Sequence, residues 1–501
     1  MIPSPETCYR EGTFSFDGRT RIVSVTETAS SQFLAKHLQK RLRERTGIVA
    51  AVAVGGQAPP RGIQIKLHQR STPDPEGFEL FISPGRVTIT GPYAGVLYGV
   101  ETLCQLVRRE GDTWHWRCQS IDDRPAMSWR GLMLDCSRHF LSRESVLRFI
   151  GLLPALRMNR LHLHLNDDQG WRMQIEGYPE LTRTGAFVEG EKNRQGFYTQ
   201  DDLREIVDYA AKRHVTVVPE IEIPGHAYAA MQSYPWLCCT GQPVRNAGHQ
   251  MDLYCAGRES TFEFLFSVLR EVMAVFPSPF IHLGGDEAPK DRWRACAACQ
   301  QRIRQEELKD ETALQGYMLD RCAAYLKEHG RQAIGWEEIL DGNPELDTVV
   351  QWWRHRTHGD RALRHALTKG YSVISSPNSF CYLSFPVSPD RHFNADRTSD
   401  LQKVYSAELV PRNLPPEQRR KCLGAECCVW TEHLTEDDIL PMLFPRILAA
   451  AELMWHATAR RDYDTFLSSV LQQEVYWRCR GVNYGPYTNE QNDATGPPGV
   501  T

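Results

Sequence analysis

The chain has 501 residues, 41% hydrophobic and 24% charged, with a formal net charge of -4. That length exceeds one ordinary core, so several domains or one large barrel with additions are expected. The near-neutral balance excludes an electrostatic basis for binding nucleic acid or an anionic membrane, and no apolar run approaches the ~18 residues needed to span a bilayer.

The N-terminus, MIPSPETCYREG, lacks the basic start and apolar stretch of a secretory signal, although a leader removed by processing stays open. Fifteen cysteines, an odd count scattered along the chain, argue against a full disulfide framework and favour a reducing, cytoplasmic compartment. Residues 1–122 read as a small α+β domain. Arg21–Glu27 alternates like a strand, and Gln32–Arg45 carries Phe33, Leu34, His37, Leu38 and Leu42 at helical spacing. A hairpin follows, Phe78–Ser83 and Arg86–Thr90 around Pro84-Gly85, then a helix with Val96, Val100, Leu103 and Val107 on one stripe. No polar residues gather here for chemistry, so a docking or stabilising role is expected.

From Asp122-Asp123-Arg124-Pro125 the pattern changes to short apolar strands alternating with helices. Eight strands are predicted: Gly131–Cys136, Arg160–Leu165, Val215–Glu222, Phe280–Gly284, Gln332–Trp336, Thr348–Trp353, Tyr371–Ser376 and Cys422–Cys428. Asp201–Arg213 is a representative helix, with Thr199 and Asp202 forming a capping box. Eight βα units over roughly 350 residues suit a (β/α)8 barrel across 123–480. An open doubly wound sheet competes, but no glycine-rich phosphate loop opens the first unit. Residues 481–501 are polar, rich in Gly and Pro, and are expected to be disordered.

Active sites of such barrels lie where strands end, and those ends hold Asp135 to His139, Asn166 to Trp171, Glu220 to His226, Asp286-Glu287, Trp336 to Glu338, Trp352-Trp353, Tyr382, Glu426, Trp430 and Glu432. Aromatic faces suit the C–H face of a pyranose, and carboxylates with Arg suit its hydroxyls. Singly, each has a plainer reading: a solvated acidic pair, a structural ion pair for Arg138, a loop histidine at 226, packing tryptophans. Convergence on one rim is what those readings leave unexplained. The glycines before Asp286 add that the chain leaves this strand sharply.

Several long motifs, in order, resemble glycoside hydrolase family 20, the β-N-acetylhexosaminidases: Arg130 to Asp135 with Ser137-Arg138-His139-Phe140, LHLHLNDDQGWR from Leu161, PEIEIPGHA from Pro219, HLGGDE from His282 and GAECCVWTEHL from Gly424. The amino-terminal domain resembles the small domain preceding the barrel in that family. The resemblance implies an exo-acting, retaining enzyme that removes terminal β-linked N-acetylhexosamine from glycans with the sugar's own acetamide as nucleophile, the substrate-assisted exception to the two-carboxylate scheme. It further implies Glu287 as general acid/base, its proton affinity raised by burial beside another carboxylate, and Asp286 as the acetamide's partner. Tyr382 would aim the carbonyl, and Trp336, Trp353 and Trp430 would wall the pocket. Arg138 and Glu432 would bind hydroxyls, while Asp167 and His226 would link to Glu287. Ser384 stands where the family usually has Asp, which leaves the C4–C6 edge and the gluco or galacto preference open. Adjacent Trp352 and Trp353 leave the register open, with Trp353 favoured.

No cofactor or metal is implied. His162-Leu163-His164 puts two imidazoles on one face, as a metal-dependent barrel hydrolase would require, but reads better as satisfied core histidines. Retained turnover under chelation discriminates the two. A catalytically silent sugar-binding homologue is the other rival, decided by turnover of an aryl glycoside. Cys296-Ala-Ala-Cys299 has zinc-ribbon spacing, but no second CxxC or histidine pair follows. It reads as reduced cysteines on a helix, and a metal there needs two ligands from elsewhere.

Overall fold

The computed structural model describes residues 1–55, 61–67, 74–187, 195–244, 252–460 and 462–488. Eight parallel strands close into a barrel: β1 (Trp129–Asp135), β2 (Arg160–His164), β3 (Thr216–Glu220), β4 (Phe280–His282), β5 (Gln332–Trp336), β6 (Val349–Trp352), β7 (Val373–Ser375) and β8 (Cys422–Val429). β8 pairs with β1, Glu426 opposite Gly131, and completes the ring. All eight predicted strands are present, and the barrel is the fold expected from them. The helix Gln200–Ala211 starts on the Thr199–Asp202 capping box, with both reciprocal hydrogen bonds formed.

Strand parity dictates what the barrel encloses, because alternate residues face its interior. Trp129, Val218, Ile334, Val349 and Ile374 form a lower apolar layer. Above it lies a polar layer of His162, Glu220, His282, Gln351 and Glu426, each no more than 1% exposed. Met133, Trp336, Tyr382 and Cys428 cap it. The outward set, including Leu132, Leu161, Leu163, Val217 and Trp352, packs into the main core.

The small domain is a mixed sheet running Thr7–Phe16, Thr113–Asp123, Phe78–Ile82, Arg86–Gly91, Gly62–Leu67, Arg21–Ser24 and Ala51–Val54, with Arg108–Glu110 on the second strand. Three of these strands, Arg21–Ser24, Phe78–Ile82 and Arg86–Gly91, are those expected from the sequence. The helix Tyr93–Gln105 is buried from Ala94 through Gln105, so it is enclosed on all sides rather than along one stripe, and Val107 lies beyond its end. A helix apolar all round belongs between layers, here the sheet and the turn Leu153–Leu156.

Charged pairs fix that junction. Arg130 on β1 reaches Glu76 at 2.6 Å, and Arg157 reaches Asp123 at 2.6 Å. Both guanidiniums lie over Trp455, 5.2 and 4.6 Å from its centroid. The expectation of disorder from 481 is corrected in part. Val482 is buried, Tyr484 Oη donates to the Val470 carbonyl at 3.1 Å, and the Tyr487 carbonyl accepts from Leu401 at 3.1 Å. Residues 489–501 of that tail lie outside the described residues.

Candidate active site

After β4 the chain turns through Gly284 and Gly285 at φ +66° and +97°. A Cβ on Gly284 would lie 1.7 Å from Glu222 Oε2, so both the space and the backbone conformation there demand glycine. The turn delivers Asp286 inward, its side chain 12% exposed, and Glu287 outward, 55% exposed. Burial of Glu287 by the protein is therefore not found; its carboxyl opens to solvent. Glu287 and His226, which face each other, are both non-glycine residues in left-handed backbone, at φ +44° and +50°. Strained conformations of this sort collect at functional sites.

A run of alternating charges leads from this pair into the barrel. His226 Nε2 lies 3.5 Å from Asp286 Oδ2 and 3.8 Å from Glu287 Oε2, and its Nδ1 lies 3.1 Å from Asp167. Asp167 also meets His164 Nε2 at 3.1 Å and Arg138 at 2.6 Å. His164 Nδ1 meets Glu220 at 2.5 Å, Glu220 meets His162 Nε2 at 3.1 Å, and His162 Nδ1 meets Glu426 at 2.9 Å.

Burial opposes charge on Glu220, Asp167, His162 and His164, and their partners outweigh it. Glu220 and Asp167 are held well below the carboxylate range by the cations around them. Despite burial, the flanking carboxylates push His162 up to about 10 and His164 to about 9. His164 meets a carboxylate at each ring nitrogen, whereas His162 bonds Glu426 through Nδ1 and has its Nε2 3.1 Å from Glu220. The histidines of the rival metal reading are thus paired with carboxylates in the barrel interior.

The aromatic residues form one wall. Trp336 is 1% exposed, its Nε1 donating to Glu220 at 2.8 Å. Tyr382 packs 6.1 Å from Trp353 with planes only 8° apart, and 6.0 Å from Trp430. Burial chiefly, with Cys428 and Asp286 nearby, raises the Tyr382 hydroxyl well above its usual range, so it remains a donor. Parity resolves the tryptophan pair: Trp353 continues the inward set of Val349 and Gln351, while Trp352 faces outward into the core.

Arg138 closes the far side, over Trp430 at 4.9 Å and 3.3 Å from Asp135. Thr431 ties the β8 loop to β1 by donating to Asp135, at 3.1 Å from its N–H and 3.0 Å from its hydroxyl. Glu432 sits within the field of Arg138, and burial raises its carboxyl. All ten residues named from the sequence meet at this rim. Ser384 is 4% exposed, and its Oγ is without a hydrogen-bond partner among the described residues.

Two carboxyls at the strand ends had no role in the sequence reading. Glu338 accepts from Trp353 Nε1 at 3.0 Å and is raised to about 8 by burial and then by Asp286. Glu222, beneath Gly284, is raised well above its usual range by burial, Asp286 and Glu220. Their sequence signal was position alone; a raised proton affinity arises only from what folding packs around them. Asp286 Oδ1 is buried without a partner among the described residues, a free acceptor at the centre of the wall.

Comparison with known proteins gives one answer. The model "Glycosyl hydrolase family 20, catalytic domain" matches residues 127–458, and "Glycosyl hydrolase family 20, domain 2" matches 1–124. A beta-hexosaminidase of Porphyromonas gingivalis is 36% identical over 97% of this chain, which spans 64% of that relative's length. A beta-N-acetylhexosaminidase of Cellulomonas fimi is 32% identical over 92% of this chain and 90% of its own. The crystal structure of beta-N-acetylhexosaminidase from Bacteroides fragilis superposes with a TM-score of 0.89 at 35% identity, covering 99% of each chain. A Vibrio harveyi exo beta-N-acetylglucosaminidase in complex with N-acetylglucosamine gives 0.86 at 29% identity, covering 97% of this chain and 78% of that one.

Proposed function

This chain belongs to glycosyl hydrolase family 20, and from that premise we propose that it is an exo-acting, retaining β-N-acetylhexosaminidase working through an oxazolinium intermediate. The observation that carries the reading is the pairing of Asp286, whose buried Oδ1 is an unoccupied acceptor inside the aromatic wall, with Glu287, directed at solvent.

A terminal N-acetylhexosamine enters with its hydroxyls toward Arg138 and Glu432. Trp336, Trp353 and Trp430 enclose the acetamide and ring. Asp286 accepts the acetamide N–H and Tyr382 donates to its carbonyl, which places that oxygen under the anomeric carbon. As the carbonyl oxygen attacks, Glu287 protonates the departing glycosidic oxygen, and positive charge on the acetamide nitrogen is balanced by Asp286. Water then adds at the same carbon, losing its proton to Glu287, and the sugar leaves with its configuration retained. His226, held by Asp167, stands beside both carboxylates and orients them.

An aryl N-acetyl-β-glucosaminide assayed with its galacto epimer, with proton NMR of the first anomer released, tests this. Glu287→Gln is expected to lower kcat roughly 10²- to 10⁴-fold while ligand binding persists, and a thiazoline mimic of the cyclised intermediate is expected to inhibit strongly. Unchanged turnover in Glu287→Gln, or initial release of the α-anomer, sinks the proposal.

A further inference from the structure

Four thiols meet in the loops above β3 and β4. Cys239 follows the turn Pro235–Leu237, and Cys255 closes the same excursion before the helix Glu259–Val275. Cys296 is the N-cap of the helix Ala297–Gln305, and Cys299 is its third residue. The Cys255 sulfur lies 3.7 Å from that of Cys299 and 3.8 Å from that of Cys296, and Cys239 lies 3.8 Å from Cys299. All four sulfurs fall within 4.8 Å of one another.

These separations have a specific chemical meaning. A disulfide requires about 2.05 Å and joins sulfurs in pairs. A tetrahedral zinc ion with Zn–S of about 2.3 Å sets its four sulfurs about 3.8 Å apart. We propose that Cys239, Cys255, Cys296 and Cys299 bind one structural zinc ion as a tetrathiolate, stapling the β3 loop to the segment that follows Asp286-Glu287.

The surroundings suit thiolates. Cys296 and Cys299 occupy the electropositive start of a helix. Arg258 donates to the carbonyls of Trp236 at 2.8 Å, Cys238 at 3.2 Å and Cys239 at 3.1 Å, which fixes its charge beside the cluster. A Cβ on Gly257 would lie 2.2 Å from the Ala298 carbonyl carbon, so the two loops are pressed together with no side chain between. Four sulfurs saturate a tetrahedron, which makes the site closed and structural. The clamp reaches the active rim: Trp293 Nε1 donates to the Tyr254 carbonyl at 2.9 Å, and Tyr254 N–H to the Pro224 carbonyl at 3.0 Å, two residues before His226.

The test is elemental analysis of the full chain purified without chelator, with the thiols titrated by a mercurial while released zinc is followed with a chromogenic chelator. The expected result is one zinc per chain, with four thiols becoming titratable only as the zinc is released. Cobalt exchanged into the wild-type chain is expected to show thiolate charge transfer and the intense visible bands of a tetrahedral site, a readout that needs no variant to fold. Cys255→Ser with Cys299→Ser is expected to purify without zinc. Freely titrating thiols with no bound metal, two disulfides by mass, or a cobalt spectrum without thiolate charge transfer would each overturn the proposal.

Discussion

Glu220→Gln is the most informative single change to the barrel interior. Glu220 is fully buried, bonds His164 at 2.5 Å and Trp336 at 2.8 Å, and lies 2.8 Å from His282 Nδ1 and 3.1 Å from His162 Nε2. Glutamine keeps the shape but removes the charge that stabilises two imidazoliums. His164 is raised to about 9 by Glu220 together with Asp167 from an unfolded value of ~6.5, so the roughly 3 kcal/mol at 1.36 kcal/mol per unit is the upper bound on what Glu220 supplies through it. Breaking a buried ion pair independently costs about 3–5 kcal/mol, so the two routes agree.

The pH dependence follows from the direction of the shift. A histidine whose folded pKa is raised contributes fully below ~6.5 and loses that contribution as pH climbs through its folded value. With His164 near 9 and His162 near 10, wild-type stability is expected to decline between pH 7 and 10. Urea titrations followed by tryptophan fluorescence measure this. Glu220→Gln is expected to cost several kcal/mol at pH 6 and progressively less toward pH 10. A cost below about 1 kcal/mol, or one that stays constant with pH, would refute the charged network.

Three further outcomes are expected. Glu338, near 8, is neutral at pH 6 and gains charge beside Asp286 as pH passes 8; Glu338→Gln should match wild type at pH 6 and shift the alkaline limb of the kcat/KM profile, and an identical limb would exclude Glu338 as its source. Trp353→Phe keeps the ring but loses the 3.0 Å hydrogen bond to Glu338; at about 1 kcal/mol this predicts roughly a fivefold rise in KM with kcat little changed, read from steady-state kinetics. Arg130→Met takes the guanidinium from Glu76, which is 6% exposed at the domain junction and keeps Tyr98, Asn159 and His214 as partners; a loss of up to about 3–5 kcal/mol is expected, measured by calorimetry, and an unchanged transition would show that the junction does not rest on this pair.

Much of the molecule was legible in its sequence because period and local chemistry suffice for it. Parallel strands buried on both faces appear as short apolar runs, and the eight barrel strands appeared so. In the small domain, Thr7–Phe16 and Thr113–Asp123 escaped notice because their burial alternates imperfectly, and Ala51–Val54 because it is a short, largely exposed edge. At the site, motif order pointed to Asp286, Glu287 and their neighbours. Parity within a single strand already favours Trp353 over Trp352, since inward residues recur every second position.

What the chain's order cannot express is who stands opposite whom once the barrel closes. The left-handed turn that exposes Glu287 depends on Glu222 filling the space beneath Gly284. The proton affinities of His162, His164 and Glu338 belong to groups brought from other strands, because electrostatic interaction depends on distance in space and local dielectric. The four-sulfur cluster makes the same point. Cys296 and Cys299 carry half of a ligand set in their spacing, while Cys239 and Cys255 arrive from a different loop, and only tertiary packing brings the sulfurs to the edges of one tetrahedron.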